Sequence, residues 1–141
     1  MADAGEIGFP LEIVIEGTPV SLAGDKARWQ ARVLAATRAC VRAVDDLGFL
    51  DHRPVAVTIL YFLAAAMQGD VDNIVKPILD GMKSAAYPDD KVVERVLVQK
   101  FEPGIDRKVT TTSEQLLNAL LMEPPVVYIR IDDDLNWRVV S

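Results

Sequence analysis

The 141-residue chain has a single cysteine, Cys40, which excludes an internal disulfide framework and any zinc site built mainly from thiolates. Long apolar runs are missing too. No stretch approaches the roughly 20 apolar residues that a membrane-spanning helix needs. The longest, Val55 to Met67, carries the β-branched Val57, Thr58 and Ile59 with Tyr61 and Phe62, and favours a strand. The opening Met-Ala-Asp-Ala-Gly-Glu lacks the basic start and apolar stretch of a secretion signal. A cytoplasmic protein with no membrane part is expected. Positive charge is also scarce: 15 Lys and Arg against 21 Asp and Glu leave a net charge of −6. That sum argues against a nucleic-acid partner, since phosphate neutralisation favours basic proteins. Carboxylates that bind cations count as negative until they are occupied, however, and the arrangement of charge matters more than its total.

Half of the residues are hydrophobic and about a quarter are charged, enough for an ordinary buried core. Alternation in Leu11–Glu16 predicts a strand, broken by Gly17-Thr18-Pro19. From about Ala23 to Leu47 the period is helical. Trp29, Val33, Ala36, Cys40, Val44 and Leu47 fall on one face, Arg28, Arg32, Arg38 and Arg42 on the other, and Gly48 ends the helix. Pro54 precedes a strand over Val55–Leu63. A second helix runs from Asp70 to about Ala85, and Pro88-Asp89-Asp90 forms a turn. Val92–Phe101 is a strand closed by Pro103-Gly104. Ser113 caps a short helix to Leu121, and Val126–Ile131 makes the last strand. With no repeat or composition break, the expectation is one α/β (α+β) domain over 1–141, its core about 9–131, with a short acidic C-terminal tail. The order β-α-β-α-β-(α)-β predicts a mixed sheet with helices packed on one face, leaving the other for a second subunit.

The chemistry concentrates in Asp70-Val71-Asp72-Asn73-Ile74-Val75-Lys76-Pro77-Ile78-Leu79-Asp80 and the Asp89-Asp90 pair. On a helix, Asp72, Lys76 and Asp80 form an i, i+4, i+8 row spread over about 80°. Ile74, Val75, Ile78, Leu79 and Met82 take the opposite side and anchor it. Pro77 costs little only within a first helical turn, so regular helix starts near Asn73 or Ile74. Asp70 and Asp72 then stand at its entrance, free to converge on one point. Carboxylates from two neighbouring segments suit hard cations such as Mg²⁺ or Mn²⁺. A lysine beside them balances charge on a phosphate or protonates a leaving oxygen. A solvated acidic loop with capping side chains is the other way to read the aspartates. For Lys76 the other reading is a plain i, i+4 salt bridge.

The run Asp-x-Asp-Asn-x-x-Lys-x-x-x-Asp, followed by an Asp-Asp pair and a strand, resembles the signature of the RusA family of Holliday-junction resolvases. The resemblance implies a homodimeric, Mg²⁺-dependent endonuclease that nicks branched DNA at four-way junctions. By motif position it implies Asp70, Asp72 and Asp90 as metal-binding and catalytic residues and Lys76 as the catalytic lysine. Asn73, Asp80 and Asp89 match as supporting residues. The chain departs from the family in its nearly uncharged 17–25 segment, where relatives often carry basic residues, and in its acidic total.

Arg28 and Arg32 on the first helix, and Lys91 and Arg95 near the third strand, are candidate DNA contacts; for the helix arginines a solvated face is the commoner explanation. Asp89 also suits a simple turn. His52 reads as a loop residue, Cys40 and Trp29 as core, Asp132-Asp133-Asp134 as a solvated turn, and Trp137 as a side chain able to dock on a partner. The alternative to an endonuclease is a binding module of the same fold with weak or no cleavage.

Overall fold

Four strand segments pair into one sheet. The computed structural model describes residues 10–19, 26–44, 53–67, 69–110 and 113–140. Strands β1 (Leu11–Glu16), β2 (Val55–Phe62), β3 (Val93–Phe101) and β4 (Val126–Asp132) lie in the spatial order β1-β4-β2-β3. β4 runs antiparallel to both of its neighbours, while β2 and β3 are parallel. The sheet is therefore mixed, and the fold is α+β. Helices α1 (Lys26–Val44), α2 (Val75–Met82) and α3 (Glu114–Leu121) connect the strands.

Alternation sorts the sheet into two faces. Leu11, Ile13 and Ile15 of β1, Val57, Ile59 and Tyr61 of β2, and Val127, Ile129 and Ile131 of β4 point into the main core. Trp29 and Val33 of α1 and Ile74, Ile78 and Met82 at α2 close over them. The α1 arginines, Arg28, Arg32, Arg38 and Arg42, lie on the exposed side. The predicted ends of that helix, Ala23 and Leu47 with Gly48, fall outside the described residues, as does His52.

The expectation that helices pack on one face holds for α1 and α2 and fails for α3. Its Leu116, Ala119 and Leu120 pack with Phe62, Val126 and Tyr128 on the opposite face. The cause lies in β4. Val126, Val127, Tyr128 and Ile129 are all buried, so this strand exposes apolar side chains on both faces and each requires a cover. Ser113 caps α3 as its sequence predicts, its hydroxyl accepting from the Leu116 N–H at 3.1 Å. Helix α2 stops at Met82, three residues short of the predicted end. Ser84 turns into the left-handed region (φ 71°), and its N–H donates to the Tyr87 carbonyl at 2.7 Å. No helix among the described residues is long and apolar enough to cross a membrane.

Candidate active site

The acidic motif begins in the loop leaving β2. The Leu63 N–H donates to the Phe101 carbonyl at 3.0 Å and extends the β2–β3 pairing by one step. The Met67 N–H then donates to Glu102 Oε2 at 3.3 Å, so a side chain beyond β3 holds the middle of the loop. Lys100 steadies that carboxylate at 3.1 Å and holds it below its ordinary range. Gly69 adopts φ +87°, a turn that a side chain would strain, and Asp70 follows directly.

Asp70 has extended backbone and precedes a short 3-10 turn, Val71–Ile74, that feeds α2. Its carbonyl accepts from the Asn73 N–H at 3.1 Å, but its carboxylate makes no capping bond. The carboxylate is left for other work. Asp72 is exposed in the same turn. Pro77 is the third residue of α2, within the first turn, where its missing N–H costs no hydrogen bond. Burial of Ile74, Ile78 and Met82, all 1 % exposed or less, contributes roughly 1.5–3 kcal/mol per side chain. That fixes the helix in rotation, so the opposite ridge is presented outward.

On this ridge Lys76 is 66 % exposed, and its Nζ lies 3.0 Å from Asp80 Oδ1 and 2.9 Å from Asp90 Oδ2. The two carboxylates, hydrogen-bonded to the ammonium, drive its pKa well above the ordinary lysine range and keep it charged. Asp90 arrives from the turn before β3. Tyr87 pins that turn to the helix, its hydroxyl donating to the Leu79 carbonyl at 2.9 Å. Burial pushes the Tyr87 pKa up, and the nearby Asp90 and Asp80 add to the rise. Asp89 accepts from the Lys91 N–H at 3.2 Å and so shapes the 3-10 turn Asp90–Val92.

The donor set suits a hard divalent cation in its chemistry: three carboxylates, one of which (Asp90) has a solvent-shielded oxygen, Oδ1, with no hydrogen-bond partner. In placement the set is not drawn together. Among the described residues no three His, Cys, Asp or Glu side chains are close enough to hold one ion.

The candidate DNA contacts divide. Lys91 is exposed directly beside Asp90. Arg32 is engaged locally, bonding the Glu16 carbonyl and lying 5.7 Å over the Trp29 ring. Arg95 pairs in register with Ala56, which turns it to the α3 face, away from α2. There it shares a groove with Arg130, Leu97 and Trp137. Arg28 is exposed on α1. Two features escaped the sequence reading. Glu102 gave no signal, because its partner is a backbone N–H 35 positions away. The run Ala64-Ala65-Ala66 lines a cavity, and its clue was small side chains where a strand should continue.

No curated protein was found to match the chain. Residues 27–110, from the first turn of α1 to beyond β3 and including Asp70, Asp72, Asp80, Asp89 and Asp90, match the family model described as Endodeoxyribonuclease RusA. That match implies an endodeoxyribonuclease that resolves Holliday junctions. It spans more than half of the sequence, and the chain belongs to the RusA family.

Proposed function

We propose that the protein is a metal-dependent, structure-selective endodeoxyribonuclease that works as a cytoplasmic homodimer and resolves four-way DNA junctions by paired nicks. The observation that carries this reading is the Lys76 ammonium held between Asp80 and Asp90, in the segment that begins with Asp70, whose carboxylate makes no capping bond, and the exposed Asp72. Lys76 faces solvent and stays protonated, so it is available to a phosphate oxygen. Removing one such positive contact from a developing charge costs on the order of 10²–10³ in rate. Asp70, Asp72 and Asp90 would have to draw together to hold Mg²⁺ or Mn²⁺, which would supply Lewis-acid stabilisation of charge on the scissile phosphate. Asn73, whose N–H fixes the Asp70 carbonyl, keeps the loop in register with the helix. Asp80 keeps Lys76 extended along the ridge, and Asp89 holds the turn that carries Asp90. A two-fold dimer presents two such sites to the symmetric arms of a junction, which accounts for paired cuts.

A second reading is favoured by the net charge of −6: a RusA-like module that binds nucleic acid or protein with weak or no cleavage. One experiment separates them. A labelled four-way junction and a linear duplex are incubated with Mg²⁺ or Mn²⁺ and either wild type or Asp72→Asn. Paired symmetric nicks in the junction, made only by wild type and only with metal, support the endonuclease. Cleavage retained by Asp72→Asn removes the carboxylate site from the mechanism. Well-folded wild type that cuts no DNA leaves the binding module.

A further inference from the structure

A cavity of about 400 Å³ opens beside Asp70, off the carboxyl end of β2. This is within the roughly 300–1,000 Å³ typical of small-molecule sites. Its lining is largely apolar, from the buried Leu63 and Ile74 to Ala64, Ala65 and Ala66. A few polar residues also line it: Asn73, Asp70, and Tyr61, whose hydroxyl pairs with the Thr18 side chain. Flat apolar walls with a few fixed hydrogen-bonding groups are what a nucleobase out of its stack requires. Three small side chains in a row, Ala64, Ala65 and Ala66, contribute to the room. Asp70 and Asn73 belong both to the acidic motif and to the cavity lining, so a strand whose phosphate lies at Asp70 has its adjoining base at the opening. Bases beside the exchange point of a branched DNA have lost a stacking neighbour, which lowers the cost of turning one outward.

We propose that this cavity receives one unstacked nucleobase adjoining the phosphate at Asp70, and that its walls set a base preference at the cleavage position. The proposal rests on the endonuclease reading above. Asn73 offers both a donor and an acceptor to the base edge, and the Thr18 and Tyr61 hydroxyls offer more. A pocket of this build discriminates among bases by the polar groups it satisfies or leaves unpaired.

The test uses four-way junctions with 2-aminopurine placed, one position at a time, on either side of the crossover, bound to the full chain in Ca²⁺. Cleavage is then mapped in Mg²⁺ on junctions carrying each of the four bases there. Ala65→Phe and Ala66→Leu, both at exposed positions, fill the cavity without disturbing the core, and thermal melting checks that they fold. The expected result is a rise in 2-aminopurine fluorescence at one position with wild type. Both filled variants should lose that rise, and their base preference should fall roughly tenfold while junction binding persists. Junctions that are bound and cut by wild type with no fluorescence rise at any position overturn the pocket and spare the endonuclease. So does an unchanged base preference in both filled variants. Wild type that neither binds nor cuts junctions overturns both.

Discussion

Lys76 Nζ lies 2.9 Å from Asp90 Oδ2, joining the first turn of α2 to the turn that precedes β3. Because Asp80 holds the same ammonium from one helical turn away, two segments separated by a bend share one exposed charge. Exposed ion pairs contribute only about 0–1 kcal/mol to stability, so this geometry matters more to reactivity than to folding. Lys76→Met should leave the melting temperature within a few degrees of wild type and lower junction cleavage by roughly 10²–10³. Parallel melting and cleavage assays check this. A large loss of stability, or cleavage at the wild-type rate, would show that Lys76 is a structural clip and nothing more.

Gly81 lies where α2 packs tightly against α1. A methyl group there would meet Val33 Cβ at 2.7 Å, its Cγ1 at 2.8 Å and the Gln30 carbonyl at 3.1 Å. Alanine improves helix propensity by up to about 1 kcal/mol over glycine, but overpacking typically costs about 1–3 kcal/mol, and here backbone is part of what must move. Gly81→Ala should therefore lower stability in urea unfolding. A variant as stable as wild type would mean that the helices separate freely, and α2 would not be the rigid support described here.

Much of this arrangement is legible in the sequence because it depends on local rules. Alternation in Leu11–Glu16 identifies β1, Ser113 marks the cap of α3, and Pro77 places the start of α2 within a residue or two. Long-range choices are less legible. Lys76 is spaced for Asp72 and Asp80 on one helix, yet its second partner is Asp90, 14 residues away across a turn. The side taken by α3 was written in four consecutive apolar residues, Val126 to Ile129, which satisfy two faces at once and give no period to read. Arg95 is one residue out of step with the helix-facing side chains of β3, and a one-residue offset sends it to the other face. Arg32 has the spacing of a solvated arginine but is drawn to the end of β1 by a carbonyl that only the folded sheet brings near.

Glu102 acts on Asp70 only through the loop, by accepting from the Met67 N–H. Removing that acceptor should loosen the segment that carries the aspartate. Small misplacements of reacting groups cost up to about 10²-fold, so Glu102→Ala should slow cleavage roughly tenfold while junction affinity stays near wild type. Glu102→Gln retains an oxygen for the same N–H and should recover most of the rate. Single-turnover cleavage beside a binding titration separates the two effects. Equal losses in both variants would point to the charge of Glu102 rather than its positioning bond.

The C-terminal segment is tied to β3 by a bidentate pair in which Arg138 Nε and a terminal guanidinium nitrogen each donate to Glu94 at 2.8 Å. The bond from Arg138 holds the Glu94 pKa below its ordinary value of 4.5. A depressed folded pKa gives a contribution that is present above the unfolded value and lost as pH falls through the folded one. The tie should therefore hold at neutral pH and release only below about 4.5, more readily in high salt because the pair is exposed. Trp137 lies next to it and reports the release by fluorescence, with Trp137→Phe identifying its share of the signal. Glu94→Gln should show the released signal already at pH 7. A pH profile identical to wild type would disprove the tie.

Glu12 of β1 ties α3 to the sheet: its Oε2 accepts from the Tyr128 hydroxyl at 2.6 Å and from the Ser113 hydroxyl. Burial, followed by the bond to the Glu12 carboxylate, pushes the Tyr128 pKa up to about 12. Its ordinary value is 10.0, so the folded state disfavours the phenolate. With the folded pKa above the unfolded one, the contribution is complete below pH 10 and is lost as pH rises towards 12. Stability measured by urea unfolding should accordingly fall between those limits, and ultraviolet titration should find Tyr128 ionising late, as the buried Tyr87 also does. Tyr128→Phe removes a hydrogen bond to a charged acceptor, worth about 1.5–3 kcal/mol. It should lower stability at neutral pH and reduce the alkaline decline, because one of the groups that titrate there is gone while Tyr87 remains. Ser113→Ala removes the other donor to Glu12 and the α3 cap together, yet it leaves the phenol in place. Its alkaline slope should therefore remain while its neutral-pH stability drops. If Tyr128→Phe keeps the full alkaline slope, the slope belongs to another group, and the Glu12–Tyr128 bond does not set the high-pH limit of the fold.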